Sequence, residues 1–227
     1  MKRYWQNIQR RMAFQFAMAI LLGVTAITSA RAASYVMNGG FEDPVVTSAQ
    51  EFRSGGTSFG GWSVGGGSID HTASFWQAAE ANQSVDLNGA SAGSVFQDLF
   101  TVTGANYMLS FAMAGNPFGV DAKRMQVNWG GAEIADLIFD QTGTSATEMN
   151  WIYHSFLVSA LSDITRLEFV SLTGAMDGAA GLDTFYGPAL DDVVVTAVPI
   201  PAALWLFGSG LLGLIGVARS KATGRAQ

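Results

Sequence analysis

Alternation of large apolar residues with smaller or polar ones is the feature that most limits how this chain can fold. In the segment 106–114, every second residue from Tyr107 to Met113 is large and apolar. Successive side chains of a β-strand point to opposite faces, so this spacing predicts a strand with one buried face. The same period recurs in 125–129 and 152–158. Further strands are predicted over 84–87, 94–102, 133–139, 165–172 and 190–197.

Residues that favour turns separate these segments. Gly89, the triplets 104–106 and 115–117, and the Gly130-Gly131 pair each interrupt the alternation. Short strands with regular turn signals, without helical periodicity between them, are typical of antiparallel sandwiches. The sequence therefore predicts an all-β fold, an antiparallel jelly-roll β-sandwich, over residues 33–197.

The N-terminal end has the pattern of a secretory signal peptide. Basic residues among the first eleven positions precede an apolar run over 12–27, and small residues at Ala30 and Ala32 follow. A positively charged region, an apolar region and a small-residue cleavage site, in this order, form a signal peptide, which is removed during export. We expect residues 1–32 to form a signal helix that is cleaved between Ala32 and Ala33.

The C-terminal end has a second apolar segment. The motif Val198-Pro199-Ile200-Pro201 leads into the uncharged stretch 202–218, which Arg219 and Lys221 follow. A segment of this length can span a bilayer as a helix, and the basic residues keep its end cytoplasmic. We therefore expect residues 198–227 to contain a transmembrane helix, with the preceding domain outside the cytoplasm.

The proline motif, the apolar stretch and the basic residues of this tail follow one another as in the PEP-CTERM sorting signal of Gram-negative bacteria, which the tail resembles. Ile200 stands in place of the usual glutamate. The resemblance implies an exosortase-type sorting enzyme as partner and transient residence in the inner membrane. It also implies final placement at the cell surface or in the extracellular matrix. A plain C-terminal anchor helix is the alternative.

Charge and cysteine content narrow the possible partners. Residues 33–197 contain 18 acidic residues against four basic ones, a formal charge of −14. Such a field repels nucleic acid and anionic membrane surfaces, so no nucleic-acid partner is expected. The chain has no cysteine, so its exported domain is held by its core or by metal rather than by disulfides.

Three short motifs within the domain occur in a recognisable order. They are Asn38-Gly39-Gly40-Phe41-Glu42, Gln83-Ser84-Val85-Asp86-Leu87-Asn88-Gly89 and Gly187-Pro188-Ala189-Leu190-Asp191-Asp192-Val193-Val194-Val195. Together they resemble the choice-of-anchor C family of bacterial surface proteins, over residues 36–197. That family is similar to galactose-binding-like carbohydrate-binding modules, so the resemblance implies a β-sandwich without implying a reaction.

The resemblance also implies a structural calcium ion between the first and last strands. Glu42 and one of Asp191 or Asp192 would supply carboxylates, with Asn38 or neighbouring backbone carbonyls completing the shell of oxygen ligands. Adjacent residues of a strand point to opposite faces, and Asp191 is the preferred partner of Glu42. The alternative is that these acids are solvated or cap turns.

Aromatic residues provide a candidate glycan site. Trp62, Phe75 and Trp76 could stack on sugars, with Asp70 and His71 as polar neighbours. Phe75 and Trp76 lie in the segment 60–82, which is expected to be irregular, so these two rings are predicted to be exposed. The alternative is that the rings belong to the core.

Evidence for catalysis is weak. The segments 56–60 and 89–93 both match the Gly-x-Ser-x-Gly motif, but no strand-to-helix turn is predicted around either serine. The favoured function is therefore a non-catalytic exported surface or matrix protein that binds or organises extracellular polysaccharide. A purely structural surface protein and a secreted hydrolase are the alternatives.

Overall fold

Twelve antiparallel strands form the part of the chain that the computed structural model describes, residues 33–119, 122–174 and 185–199. The first sheet contains, in spatial order, β1 (Gln50–Ser54), β4 (Ser68–Thr72), β5 (Ser84–Asp86), β12 (Pro188–Ala197), β7 (Asn106–Gly115) and β10 (Ile152–Ser159). The second sheet contains β2 (Ser58–Phe59), β3 (Trp62–Gly66), β6 (Gly93–Phe100), β11 (Ile164–Ser171), β8 (Lys123–Trp129) and β9 (Ala132–Phe139). The prediction of an all-β antiparallel sandwich is confirmed.

The predicted signal peptide and sorting helix lie outside the described residues, as do Ala32 at the expected cleavage site and Pro201 of the sorting motif. The described chain begins at Ala33 and ends with Val198 and Pro199, which follow β12 directly. Within these ranges no helix is long and apolar enough to cross a membrane.

The core lies between the inner faces of the two sheets. Leu109, Phe111 and Met113 of β7 are fully buried, as the alternation predicts. Phe111 meets Phe169 of β11 edge to face, with ring centroids 4.9 Å apart. Each such ring removes a large apolar area from water, which is the main stabilising term for a domain without cross-links.

The first half of the segment 60–82, which was expected to be irregular, is ordered as strands, whereas residues 73–82 contain no strand. It contains β3 and β4, joined by a short connection at Gly67. Four of the five residues of β4 are buried, so apolar and polar side chains do not alternate along it. A strand that is covered on both faces loses the period of two, which explains why the sequence pattern did not reveal it.

The first described segment runs beside the last strand. Tyr35 donates its backbone N–H to the carbonyl of Val195 at 2.8 Å, and Val193 donates to the carbonyl of Gly39 at 2.9 Å. The expected proximity of the two ends of the domain is therefore confirmed. A Cβ atom at Gly39 would overlap the backbone carbonyl of Val193, so this approach requires glycine.

We expect Gly39→Ala to lower the free energy of unfolding by roughly 1–3 kcal/mol, because the backbone of β12 cannot move aside without disturbing its own sheet. Gly40→Ala is the matched control, since its added methyl meets only the flexible end of the Glu80 side chain. Urea denaturation of both variants measures the difference. Equal stabilities would contradict the close packing of this segment on β12.

Candidate functional site

Three of the five residues predicted to contact glycan are buried. Trp62 is fully enclosed in the core, and its indole nitrogen donates to the carbonyl of Asn38 at 2.9 Å. Trp76 is also buried and donates to the Ser84 hydroxyl at 2.8 Å. The prediction that Trp76 is exposed is therefore wrong, and neither indole can present its face to a sugar.

His71 is the third buried residue of this set. Its Nε2 lies 2.6 Å from the carbonyl of Phe41, and its Nδ1 lies 3.2 Å from the Arg53 guanidinium. Since the guanidinium can only donate, Nδ1 accepts and Nε2 donates. Burial, and to a lesser degree Arg53, lower the pKa of His71, so the neutral ring joins the core to the turn at Phe41.

Phe75 and Asp70 are partly exposed, on the outer side of the first sheet. The Phe75 ring packs between Trp76 and Phe118, with centroid distances of 5.5 and 5.2 Å. Asp70 accepts a hydrogen bond from Gln50 and lies opposite Asp86 in the register of β4 and β5. The five predicted glycan residues therefore do not form one site.

Asp86 is a buried carboxyl group at the centre of the first sheet's outer side. It accepts hydrogen bonds from the backbone of Asn88 and Gly187 and from the Asn116 amide. Burial nevertheless raises the pKa of Asp86 to about 8, and the neighbouring charge of Asp70 adds to the rise. The folded protein therefore retains a proton there that an unfolded chain has lost.

A loop over residues 73–83, here called the roof loop, covers part of the same side. Asp191 Oδ2 accepts the backbone N–H groups of Ala79 and Glu80, at 2.8 and 2.9 Å. Glu42 Oε1 accepts those of Asn82 and Gln83, both at 2.7 Å. The two acids predicted to bind calcium, which are far apart in the sequence, thus cap the backbone of the same loop.

The remaining predicted calcium ligands are also engaged. Asn38 closes a turn through hydrogen bonds between its side-chain amide and both backbone groups of Asp43. Asp192 has a positive φ of 47° at the β-bulge of β12, and its side chain is hydrogen-bonded to Tyr153. Its backbone N–H donates to the second oxygen of Asp191.

These contacts do not fit a calcium ion between Glu42 and Asp191. Calcium requires several oxygen ligands that converge on one point, whereas N–H donors already occupy both oxygens of Asp191 and one oxygen of Glu42 here. Burial raises the pKa of Asp191 to about 7, against the lowering effect of its three N–H donors. Among the described residues, no group of three or more acidic or histidine side chains is arranged to hold a metal.

A shallow cavity of about 480 Å³ borders the roof loop, and its lining includes Trp76, Gln77 and Asn82. Trp151 donates its indole N–H to the carbonyl of Gln77 at 2.9 Å, which fixes the loop at this point. Small side chains, such as Ala78 and Ala81, form much of the remaining wall. The cavity therefore offers little exposed ring surface to a ligand.

The outer face of the second sheet has a different character, and we call it the open face. Its side chains come from alternate positions of β3, β6, β11, β8 and β9, and most are half-buried or exposed. Hydrogen bonds join these polar side chains to one another, three of them between neighbouring strands and one along β8. The bonds run from Ser94 to Glu168, from Asn128 to Glu168, from Gln126 to Asn128 and from Gln126 to Glu133.

Two arginine–carboxylate pairs flank this polar row. Arg166 forms a two-pronged pair with Asp98, at 2.8 and 2.9 Å, and Arg124 pairs in the same way with Asp136. The Arg166 guanidinium also lies over the Phe96 ring, 4.0 Å from its centroid. These contacts hold planar polar groups in fixed positions on an accessible surface.

An exposed ring completes the open face. Phe100 of β6 is 81% exposed and pairs with Ile164 of β11. It lies four residues from Phe96 on the same face, a spacing of about 13 Å along a strand. The signal in the sequence is the spacing of Ser94, Phe96, Asp98 and Phe100, which are two residues apart and therefore share one face of a strand.

Comparison with known proteins gives one family and several relatives. A family described as "Protein of unknown function (DUF642)" matches residues 34–196. Halomucin of Haloquadratum walsbyi is 28% identical over 198 residues, which are 81% of this chain. The chain spans only about 2% of the length of that curated relative.

Several solved carbohydrate-binding modules have a partly similar fold. A family 35 module from Clostridium thermocellum is 12% identical, with a TM-score of 0.44 over 60% of this chain and 92% of the module. The family 61 module TmCBM61, solved with β-1,4-galactotriose, is 17% identical, with a TM-score of 0.45 over 74% and 100%. With TM-scores below 0.5, these likenesses identify no binding residue in this chain.

The buried carboxyl of Asp86 predicts how stability changes with pH. Its pKa is about 8 in the folded state and 3.8 in its ordinary environment, so the proton it retains favours the folded state most at low pH. This contribution is complete below about pH 4 and is lost as the pH rises through 8. We expect the melting temperature to fall by several degrees between pH 5 and 8.

Asp86→Asn should flatten that dependence, because an amide does not titrate. Asp163→Asn is the control, since this exposed group is ionised throughout the range, with its pKa lowered by hydrogen bonds from Thr103. Differential scanning fluorimetry across the pH range measures both. A slope that is the same in Asp86→Asn as in the parent would show that Asp86 is ionised in the fold.

Calcium binding remains a prediction of the sequence resemblance, and the geometry of Glu42 and Asp191 gives it no support. We expect the melting temperature to be the same, within about 1 °C, in excess chelator and in millimolar calcium. A clear rise with calcium that Glu42→Gln abolishes would restore the predicted site.

Proposed function

The chain belongs to the DUF642 family, and we propose that this member is an exported, non-catalytic protein whose sandwich binds extracellular polysaccharide through its open face. The arrangement of the open face is the observation that carries the proposal. It combines accessible planar polar groups with a nearly uncovered ring on one side of a rigid sheet. Sugar recognition uses these two kinds of group, because hydroxyls need hydrogen-bond partners and the faces of sugar rings are apolar.

The polar row supplies the hydrogen bonds. Glu168 accepts from side chains on both neighbouring strands, and Gln126 extends the row to the edge strand β9. These groups already satisfy one another, so their positions are fixed before a ligand arrives. Little side-chain entropy is lost on binding when the groups are preorganised in this way.

The rings supply apolar contact along β6. Phe100 is open to solvent on its face, whereas Arg166 covers the Phe96 ring. The strand next to β6 presents only small residues on this face, Ser63 and Gly65, and the Phe96 ring lies against Gly65. An extended chain of sugars lying along β6 would contact Phe100, the Asp98–Arg166 pair and Glu168 in succession.

Charge selects among polysaccharides. The domain carries a formal charge of −14 over residues 33–197, and both arginines of the open face are already paired with carboxylates. A polyanion would meet a repulsive field, so the proposed ligand is a neutral polysaccharide.

Export and surface placement belong to the same proposal and are supported by the sequence at the two ends. The signal-peptide pattern before Ala33 implies export, and the Val198-Pro199-Ile200-Pro201 motif implies handling by an exosortase-type enzyme at the inner membrane. The proposed location is the cell surface or extracellular matrix, where a polysaccharide ligand would be available.

The hydrolase alternative receives no support from the two Gly-x-Ser-x-Gly segments. Ser58 lies on the two-residue strand β2, and its hydroxyl contacts Ser63. Ser91 lies between β5 and β6, at a turn between two strands. A nucleophilic serine of this motif needs a strand-to-helix turn and a histidine partner, and the one fully buried histidine, His71, is occupied by Phe41 and Arg53.

Affinity electrophoresis of the full chain in gels containing xylan, β-1,4-galactan or a soluble β-glucan tests the proposal, with extracellular polysaccharide from the producing cells as a fourth matrix. We expect retardation in at least one matrix. Phe100→Ala should weaken binding about tenfold, because loss of an anchoring aromatic ring costs more than about 1 kcal/mol.

Phe52→Ala is the matched control, since Phe52 is a comparably placed exposed ring on β1 of the other sheet. Binding that Phe52→Ala weakens and Phe100→Ala leaves intact would transfer the site to the first sheet. No retardation in any of the four matrices would favour a structural surface protein without a glycan ligand.

A further inference from the structure

The strand β10 is an unprotected edge of the first sheet. Among the described residues it has a neighbour on one side only, β7, with which it pairs over eight consecutive positions without a bulge. Its sequence contains no charged residue, proline or glycine. Exposed edges of this kind readily pair with another strand.

The other three edge strands carry the usual protection. β1 contains Glu51 and Arg53, and β2 has only two residues. β9 contains Glu133 and Asp136, and its pairing with β8 is interrupted by a register shift. Charges, bulges and short length all discourage pairing between edges, so β10 differs from every other edge of this sandwich.

The free backbone groups of β10 can be identified. Ala160 donates its N–H to the carbonyl of Ala105, which continues the ladder between β10 and β7. In an antiparallel pair, successive residues bond alternately to one side and the other. Since Ala160 bonds toward β7, the N–H and carbonyl groups of Tyr153, Ser155 and Leu157 point away from it, toward the open edge.

The side chains at this edge are apolar and solvent-exposed. Leu157 is 64% exposed, Tyr153 is 59% exposed and Ile152 is 49% exposed. The domain as a whole is strongly acidic, so two copies repel each other over most of their surfaces. The strand β10 itself contributes no acid, and the acids that act on it, Asp192 and Glu80 among them, lie beside Tyr153. Repulsion between copies is least where two uncharged strands meet, which favours another copy of the same chain as the occupant.

We propose that β10 pairs antiparallel with β10 of a second copy, about a two-fold axis at Ser155. In this register Tyr153 lies opposite Leu157 on the outer face, and His154 lies opposite Phe156 on the inner face. The six free backbone groups of Tyr153, Ser155 and Leu157 then bond across the interface. Centring the axis on Phe156 instead would place Leu157 opposite Ser155, so the Ser155 register matches the apolar side chains better.

The pairing makes one continuous sheet from the first sheets of both copies. It would also join two open faces in one particle, so a polysaccharide could be held at two places. The pairing itself does not depend on glycan binding, and the experiment below contains no glycan.

Single cysteines test the proposal cleanly, because the chain has none of its own. Ser155→Cys places two thiols opposite each other on the axis, within the Cα separation that a disulfide allows. Ser159→Cys is the matched control: it is exposed, on the same strand and the same face, but its copies would lie about 26 Å apart. Both full-length variants are oxidised in the membranes or culture fluid of the secreting cell and analysed on non-reducing gels.

We expect a band of twice the chain mass for Ser155→Cys, at least tenfold stronger than for Ser159→Cys. Adding Leu157→Lys to Ser155→Cys should reduce that band at least tenfold, because it places a cation in the apolar pair with Tyr153. Equal bands for the two cysteine variants, insensitivity to Leu157→Lys, or linkage of residue 155 to a different protein would overturn the proposal.

Discussion

The close approach of the first described segment to the last strand is the constraint on which the rest of the structure depends. Position 39 requires glycine, because the carbonyl of Val193 occupies the space where a side chain would lie. That contact brings Glu42 and Asp191, which are far apart in sequence, to the same side of the sandwich. Their carboxylates then bind four backbone N–H groups of the roof loop, which has no strand of its own to satisfy them.

The two outer faces of the sandwich consequently differ in how far loops cover them. The roof loop and the turn at Asn116 cover the first sheet, and a buried carboxyl, Asp86, lies beneath them. Among the residues that the structure describes, nothing comparable covers Phe100 on the second sheet, whose polar side chains bond to one another. Covering one face contributes burial to a domain that has no disulfide, and it leaves the other face available for recognition.

Local sequence patterns predicted the long strands well and the site poorly, for physical reasons. The period of two in β7 reflects a face of large apolar residues in the core and a face of smaller or polar residues, so residues such as Phe111 could be assigned to the core. β4 is covered on both faces and shows no such period. The motif acids lie on the same side of the domain as expected, but whether a carboxylate meets a cation or N–H groups depends on a loop whose contacting residues, Asn82 and Gln83, lie 40 and 41 residues after Glu42. Trp62 and Trp76 show the same limit, since residue type does not encode exposure.

The side-chain bonds of the open face have a consequence for evolution. Glu168, Asn128 and Gln126 bond to other side chains and not to the backbone of the core. They can therefore be exchanged as a set without disturbing the strands that carry them. Substitutions in this set would change the hydrogen-bonding groups that the open face presents, while the apolar interior keeps its packing.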